Sequence, residues 1–158
     1  RPMDLCGEDG DFYYEARREA WLDIHGAGIP FDGEGFLAAA RRNLLDDPGA
    51  VVCAMLGSEP AGVLQLDPRR DAGAGAGYIP FVYMTPARRK QGLGVQLIGQ
   101  AVSFYRPQER TLLRLRCAPD NAVAQRFYKK YGFYKIGEEQ GARVPLDILE
   151  KYIGYDKT

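Results

Sequence analysis

Four stretches of the chain place apolar side chains three or four residues apart, which is the spacing of one helix face. The first follows Asp11, a residue type that caps helix N-termini, and predicts a helix over about 12–25. The last begins behind Asp120 or Asn121 and is stopped by Gly132. The apolar positions of the four stretches are Tyr13, Ala16, Ala20 and Ile24; Phe36, Ala40 and Leu44; Leu93, Leu97, Ile98, Ala101, Val102 and Tyr105; and Val123, Ala124, Phe127 and Tyr128.

The other apolar runs are short and rich in β-branched or aromatic residues, which predicts strands. AVVCAML and AGVLQLD are separated only by GSEP, so they predict a hairpin, and the glycine-rich PRRDAGAGAG that follows predicts a flexible loop. The remaining strands are YIPFVYM, TLLRLRC, FYKIGEE and VPLDILEKYI. The element order is therefore two helices, three strands, a helix, a strand, a helix and two strands. Such mixing predicts one α/β sheet with helices on both faces.

The composition argues against several classes of function. The 158 residues carry 21 basic and 21 acidic side chains, so the net charge of zero gives no electrostatic support to nucleic-acid binding. No apolar run approaches the roughly 20 residues of a membrane helix, and no signal-peptide pattern is present. Cys6, Cys53 and Cys117 are odd in number and widely spaced, which favours a reducing, cytoplasmic compartment. The chain begins with Arg1 instead of Met, which leaves open that the natural start and a first strand are missing.

Between the third strand and the third helix, RRKQGLG carries three cations and two glycines. The first N–H groups of a helix have no intrahelical partner, and with the helix dipole they attract anions. Glycine allows close backbone approach and positive φ, and arginine adds charge-assisted hydrogen bonds. We therefore expect residues from about 89 to 95 to form either a cradle that binds pyrophosphate or a tight turn beside a solvated basic patch.

The glycine spacing excludes two familiar nucleotide-binding motifs. The dinucleotide fingerprint G-x-G-x-x-G fails because Leu97 stands where the third glycine belongs. The P-loop fails because Gln100 and Ala101 follow Gly99, where the motif needs Lys and then Ser or Thr.

The same loop and a segment downstream of it resemble a known family. RKQGLG, residues 89–94, matches the [RQ]-x-x-G-x-[GA] motif of the GCN5-related N-acetyltransferases (GNAT). DNAVAQRFYKKYGF, residues 120–133, resembles that family's N-x-x-A-x-x-F-Y-x-x-x-G-F segment. Both motifs occur in the family's order with a helix and a strand between them. The similarity covers about 78–134.

The resemblance implies a single GNAT-like acetyltransferase domain over residues 1–158, with a strongly twisted mixed sheet of about six to seven strands. In that family the fourth and fifth strands splay apart, and the pantetheine arm of acetyl-CoA, the co-substrate, lies between them. No metal is expected, because one histidine and three scattered cysteines lack zinc-site spacing. The implied cofactor contacts are Val82, Met84, Arg89, Lys90, Gln91, Gly92, Leu93, Gly94, Val95, Asn121, Phe127 and Tyr128.

The resemblance also implies roles for these groups. Backbone N–H groups from Gln91 to Val95 hold the pyrophosphate, and the Arg89 side chain assists. Backbone groups of Val82 and Met84 pair with pantetheine, the Val82 N–H polarises the thioester carbonyl, and Asn121 bonds the pantetheine arm.

Tyr128 is implied to be the acid that protonates the CoA thiolate, since a phenol and a thiolate have similar basicity. A core tyrosine on an amphipathic helix is the alternative for Tyr128. Tyr131 and Tyr134 are nearby rivals for the acid.

The general base is not identified by sequence. Many family members carry a glutamate near the position of Pro80, but GYIPFVYM contains no carboxylate. Either a water chain removes the proton, or the amine has a low pKa, or a side chain comes from elsewhere. The candidates from elsewhere are His25, Asp32, Glu34 and Asp67. Pro80 itself predicts either a bulge in this strand or a strand that starts after it.

The leading hypothesis is an N-acetyltransferase that moves acetyl from acetyl-CoA to a primary amine by direct attack in a ternary complex. The acceptor is a small amine or a peptide or protein N-terminus, with HGAGIPFDGEG and PRRDAGAGAG as specificity loops. Neither nucleic acid nor membrane is expected as a partner, and a homodimer remains an option. The alternatives are a catalytically inactive acyl-CoA-binding or sensory module, and a structural protein that uses the basic loop for protein contacts.

Overall fold

The computed structural model describes residues 1–89, 92–141 and 145–154, so Lys90 and Gln91 lie outside the described residues. The helices and strands follow in the predicted order. They are α1 (Gly7–His25), α2 (Gly33–Asp46), β1 (Val51–Leu56), β2 (Glu59–Asp67), β3 (Ala76–Met84), α3 (Leu93–Tyr105), β4 (Leu112–Cys117), α4 (Ala122–Lys130), β5 (Tyr134–Gln140) and β6 (Pro145–Tyr152).

The described strands form one mixed sheet in the order β1-β2-β3-β4-β6-β5. All neighbours are antiparallel except β3 and β4, which run parallel. The predicted hairpin is β1–β2, and Pro2 forms a bridge to Val52 at the outer edge of β1. The α/β class and the mixed sheet are therefore confirmed, with six strands among the described residues.

The parallel pair β3–β4 separates soon after it begins. Its register runs only from Ala76 opposite Leu112 to Tyr78 opposite Arg114. Both strands continue beyond this point, to Met84 and Cys117. The far halves of β3 and β4 thus diverge into a V whose apex lies at Tyr78. This is the splay that the resemblance implies for the family's fourth and fifth strands.

Pro80 lies inside β3 and within a bulge. Two steps along β2, from Gln65 to Asp67, correspond to three steps along β3, from Phe81 to Tyr78. The extra residue falls around Pro80, which has no N–H to give to a ladder. The bulge and the divergence from β4 begin at the same place, so we infer that Pro80 helps to open the V.

A pair of helices covers each face of the sheet. On one face, α1 and α2 pack on β1, β2 and β3 through a buried cluster that includes Tyr13, Leu37 and Val63. On the other face, α3 and α4 pack on the sheet through a cluster that includes Leu97 and Leu113. The V therefore has α3 and α4 on one side and the α1–α2 pair on the other.

The start of α1 differs from the prediction that Asp11 is its N-cap. The helix begins at Gly7, and Cys6 occupies the cap position. Glu8 and Asp9 lie in the first turn, where negative charge is favourable for the helix dipole. Apolar spacing missed this turn because it is stabilised by charge instead of by burial.

Among the described residues, no helix is long and apolar enough to cross a lipid bilayer. Within the same residues, no group of His, Cys, Asp and Glu side chains could hold a metal ion. The loop predicted to be flexible, PRRDAGAGAG, contains one short 3₁₀ turn at Ala72–Ala74.

Candidate active site

The free edge of β3 inside the V presents the backbone groups of Val82 and Met84. The Thr85 N–H, just beyond β3, donates to Ala61 O on the β2 side at 2.9 Å. Backbone N–H and C=O groups of successive residues point to opposite sides of a strand. The backbone groups of Tyr83 therefore face β2, and those of Val82 and Met84 face the V. β4 is no longer paired here, so among the described residues this edge has no strand partner, and Arg89 contacts it at Met84 O.

The N-terminus of α3 lies where β3 leads out of the sheet. Gly92 is its N-cap residue and has φ +78°, a left-handed conformation that side chains disfavour. No acidic residue lies in the first turn and no side chain caps the helix. The N–H groups at this end therefore remain available to an anion.

The two glycines of the loop have different tasks. A Cβ at Gly92 would meet nothing within 4 Å, so Gly92 supplies conformation and open space. A Cβ at Gly94 would lie 2.8 Å from Phe127 Cζ and 3.2 Å from Met84 Cε. Gly94 therefore allows α3 to approach α4 closely.

The cations beside this helix end are engaged with protein groups. Arg89 donates to Met84 O at 3.2 Å and to Glu19 Oε1 at 3.0 Å. Arg88 pairs with Glu59 at 3.0 Å. Both pairs are partly exposed and therefore weak, so an anion at the helix end can compete for these arginines. Arg89 must leave Met84 O before a ligand can pair with that carbonyl.

Asn121 lies just beyond β4, on the opposite side of the V from β3. Its side-chain oxygen accepts from the Ala124 N–H at 3.2 Å and caps α4. The cap uses the oxygen only, so the side-chain NH₂ stays available as a donor. α4 ends as predicted, with Gly132 at φ +92° and Phe133 N–H donating to Tyr128 O at 2.9 Å.

Tyr128 packs against the α3–α4 core, and its ring lies 5.3 Å from that of Phe133. In the described part of the chain its hydroxyl has no hydrogen-bond partner. Burial raises the pKa of Tyr128 above the ordinary range, and the nearby Cys117 adds to the rise. The phenol therefore stays protonated at neutral pH, with its proton free to donate.

The rival tyrosines are placed less favourably. The Tyr131 ring lies 5.0 Å from that of Phe127, under the Lys130 ammonium. Tyr134 is 53% exposed on β5, and its hydroxyl is directed to Glu150 at 3.5 Å. Tyr128 lies near Cys117 at the end of β4, and this thiol contributes to the raised pKa of Tyr128.

Of the four residues considered for the base, the three carboxylates Asp32, Glu34 and Asp67 make no contact with the free edge of β3 among the interactions of the described residues. Asp32 caps α2 by accepting from Gly35 N at 2.9 Å. Asp67 accepts backbone N–H groups of Arg69 and Arg70. The His25 ring packs 4.2 Å from Trp21, and Glu34 is exposed in the first turn of α2.

Sequence reasoning missed a carboxylate that does contact β3. Glu19 on α1 accepts a 2.5 Å hydrogen bond from the Tyr83 hydroxyl. Burial raises the pKa of Tyr83, and the bond to Glu19 raises it further. Tyr83 precedes Met84 and follows Val82, so this pair lies beside the free edge. Helical spacing could not reveal it, because the contact spans 64 residues.

Cysteine accessibility gives a first testable prediction. Cys6 is exposed, whereas Cys53 and Cys117 are buried, and burial raises the pKa of Cys117 to about 11. We expect a disulfide reagent such as DTNB to modify one thiol per folded chain at about pH 8, and all three after unfolding. Cys6→Ser should leave no fast-reacting thiol. A second fast thiol in the folded wild type would show that Cys117 or Cys53 is accessible.

The sequence profile of the Acetyltransferase (GNAT) family matches residues 11–133 of the chain. This match covers the V, the α3 loop and α4. The chain belongs to this family. No curated protein sequence is significantly similar to it over any part of its length.

Solved structures share the GNAT fold at low sequence identity. Ard1 from Thermoplasma volcanium has a TM-score of 0.77 and 17% identity, over 98% of this chain and 97% of its own. The PaiA N-acetyltransferase from Thermoplasma acidophilum, in complex with coenzyme A, has a TM-score of 0.69 and 22% identity over 96% of each chain. YncA, a putative acetyltransferase from Salmonella typhimurium with its cofactor acetyl-CoA, has a TM-score of 0.72 and 19% identity over 100% of this chain and 95% of its own.

Proposed function

We propose that this GNAT protein is an N-acetyltransferase that transfers acetyl from acetyl-CoA to a primary amine in a ternary complex. One arrangement carries the proposal: β3 has an unpaired edge at Val82, α3 starts without a side-chain cap, and Val82 and Tyr128 pack against the same core cluster as α3. An extended arm with an anionic end fits this arrangement, since the edge offers strand pairing and the helix end attracts phosphate. Similar structures hold coenzyme A and acetyl-CoA, which supports this ligand.

Each protein group supplies one part of the chemistry. When bound, acetyl-CoA supplies the activated acetyl group. The Val82 N–H donates to the carbonyl oxygen as negative charge develops there, which is worth roughly 3 kcal/mol in comparable sites. Tyr128 donates its proton to the departing sulfur, which leaves as a thiol. The first turn of α3 and Arg89 hold the pyrophosphate, and Lys90 and Gln91 belong to the same proposed loop.

We further propose that Tyr83 and Glu19 remove the amine proton. The Tyr83 oxygen accepts a proton from the bound ammonium while its own proton moves to Glu19, so the charges balance and the neutral amine is free to attack. The short hydrogen bond between them is already formed, and Glu19 can return the proton to solvent because it is partly exposed.

A Glu19→Gln variant tests this relay. We expect it to lower kcat/KM about 10- to 100-fold at neutral pH, because an amide cannot take the proton. The deficit should shrink above the pKa of the amine, where the substrate arrives deprotonated. Glu15→Gln is the matched control, since Glu15 lies one turn earlier on α1 and pairs with the exposed Arg18. An equal deficit at every pH would contradict proton removal by Glu19.

The direct test of the proposed function combines acetyl-CoA binding by calorimetry with release of free CoA during incubation with amines. The amine panel includes peptides with a free N-terminus, because similar structures include the NatC complex bound to Gag peptide and CoA and the ribosomal-protein-S18-alanine N-acetyltransferase from Escherichia coli. Binding with turnover supports the transferase. Binding without turnover on any amine supports an acyl-CoA-binding or sensory module, and no binding refutes both.

A further inference from the structure

Arg17 on α1 lies between the helix and the sheet with its guanidinium among aromatic rings. The Arg17 Cζ is 4.0 Å from the centroid of Phe81 on β3 and 4.4 Å from that of Phe36 on α2. Its Nε donates to the Tyr13 hydroxyl at 3.0 Å, and its Nη2 donates to Gln65 Oε1 at 3.0 Å. The guanidinium is therefore fixed in position by both packing and hydrogen bonds.

All of the hydrogen-bond partners of Arg17 are neutral. Over residues 1–89, 92–141 and 145–154, no carboxylate lies within ion-pair distance of its guanidinium, and its Nη1 has no partner. Gln65 is itself oriented by donating to Asn43 at 2.7 Å. A largely buried cation without a counterion is costly, and burial lowers the pKa of Arg17 accordingly. A bound anion would remove this cost.

The position of Arg17 relates it to the reaction site. Phe81 precedes Val82, whose N–H faces the V. On the other side, Phe36 joins Trp21 and Phe31 in a cluster beside the connection between α1 and α2. Arg17 thus lies on the α1–α2 face, opposite α3 and the proposed pyrophosphate loop. We infer that an acceptor amine attacks from this face and approaches past Arg17.

We propose that Arg17 binds a carboxylate of the acceptor, so that the protein acetylates amines that carry a carboxylate near the reacting nitrogen, as α-amino acids do. This inference rests on the proposed acetyl transfer. A single guanidinium with one unoccupied nitrogen matches one carboxylate group. The aromatic rings around it exclude water and strengthen that contact.

Matched pairs of an amino acid and its carboxamide test the inference by the rate of CoA release. We expect the wild type to acetylate the acid about 10- to 100-fold more efficiently than the amide. Arg17→Gln should remove this preference, and Arg17→Lys should keep part of it. Arg18→Gln is the matched control, because Arg18 is exposed and pairs with Glu15, so its preference should equal that of the wild type.

A second measurement does not depend on turnover or on a stable variant. N-acetyl amino acids and their amides are titrated into the wild-type protein saturated with CoA, and the acid is expected to bind more tightly by the same factor. Equal binding of acid and amide, absence of binding by both, or a preference that survives in Arg17→Gln would overturn the inference. Failure of acetyl-CoA itself to bind would instead refute the proposed function.

Discussion

Gly92→Glu should abolish acetyl-CoA binding, with an affinity loss of about 100-fold or more. Gly92 precedes the first turn of α3, and no atom lies within 4 Å of the position its Cβ would take. The new side chain therefore has room to enter the space that the pyrophosphate is proposed to fill, and its carboxylate would satisfy the helix end in the anion's place. Calorimetric titration of acetyl-CoA into the wild type and the variant measures the loss.

Two further glycines provide matched controls for this variant. Gly99→Glu adds the same charge to an open site later in α3, away from the helix end. Gly57→Glu adds it at another open glycine with positive φ, +61°, so it carries the same backbone strain. Both should bind acetyl-CoA as the wild type does. If Gly92→Glu binds normally while its thermal unfolding is unchanged, the pyrophosphate does not lie at the start of α3.

Apolar spacing was sufficient to predict the order of the elements because most helices and strands bury one continuous face. The apolar positions after Gly92, for example, lie in α3, where Leu97, Ile98 and Tyr105 are buried. The start of α1 was mispredicted because its first turn is polar and depends on Glu8 and Asp9 near the helix dipole. A pattern of burial carries no information about such a turn.

The polar contacts of the site could not be read from the sequence because they join distant segments. Glu19 meets Tyr83 across 64 residues, and Arg17 meets Gln65 across 48. Neither pair has a local spacing that indicates contact. Gly94 shows the same limit, since its motif position suggested phosphate approach while its Cβ direction is filled by Phe127.

Tyr128→Phe should lower kcat by about 100-fold or more while changing the affinity for acetyl-CoA by less than about threefold. The hydroxyl makes no hydrogen bond with the described residues, so its removal breaks no contact of the folded protein. The ring stays in place against Phe133, and the stability of the variant should equal that of the wild type. What is lost is the proton for the departing sulfur. Turnover at saturating substrate and calorimetry on the same samples separate the two effects.

The pH profile of kcat and a Tyr131→Phe variant test whether Tyr128 itself is the acid. Because burial and Cys117 raise the pKa of Tyr128, the wild-type kcat should not fall on the alkaline side until the pH exceeds about 10, the ordinary phenol value. Tyr131→Phe, one helical turn further on, should retain the wild-type kcat, since its ring packs on Phe127 under the Lys130 ammonium. A normal rate in Tyr128→Phe with a loss in Tyr131→Phe would transfer the acid to Tyr131. Normal rates in both would mean that the thiolate leaves without a protein acid, as it can when the sulfur's own basicity is low and the V admits water.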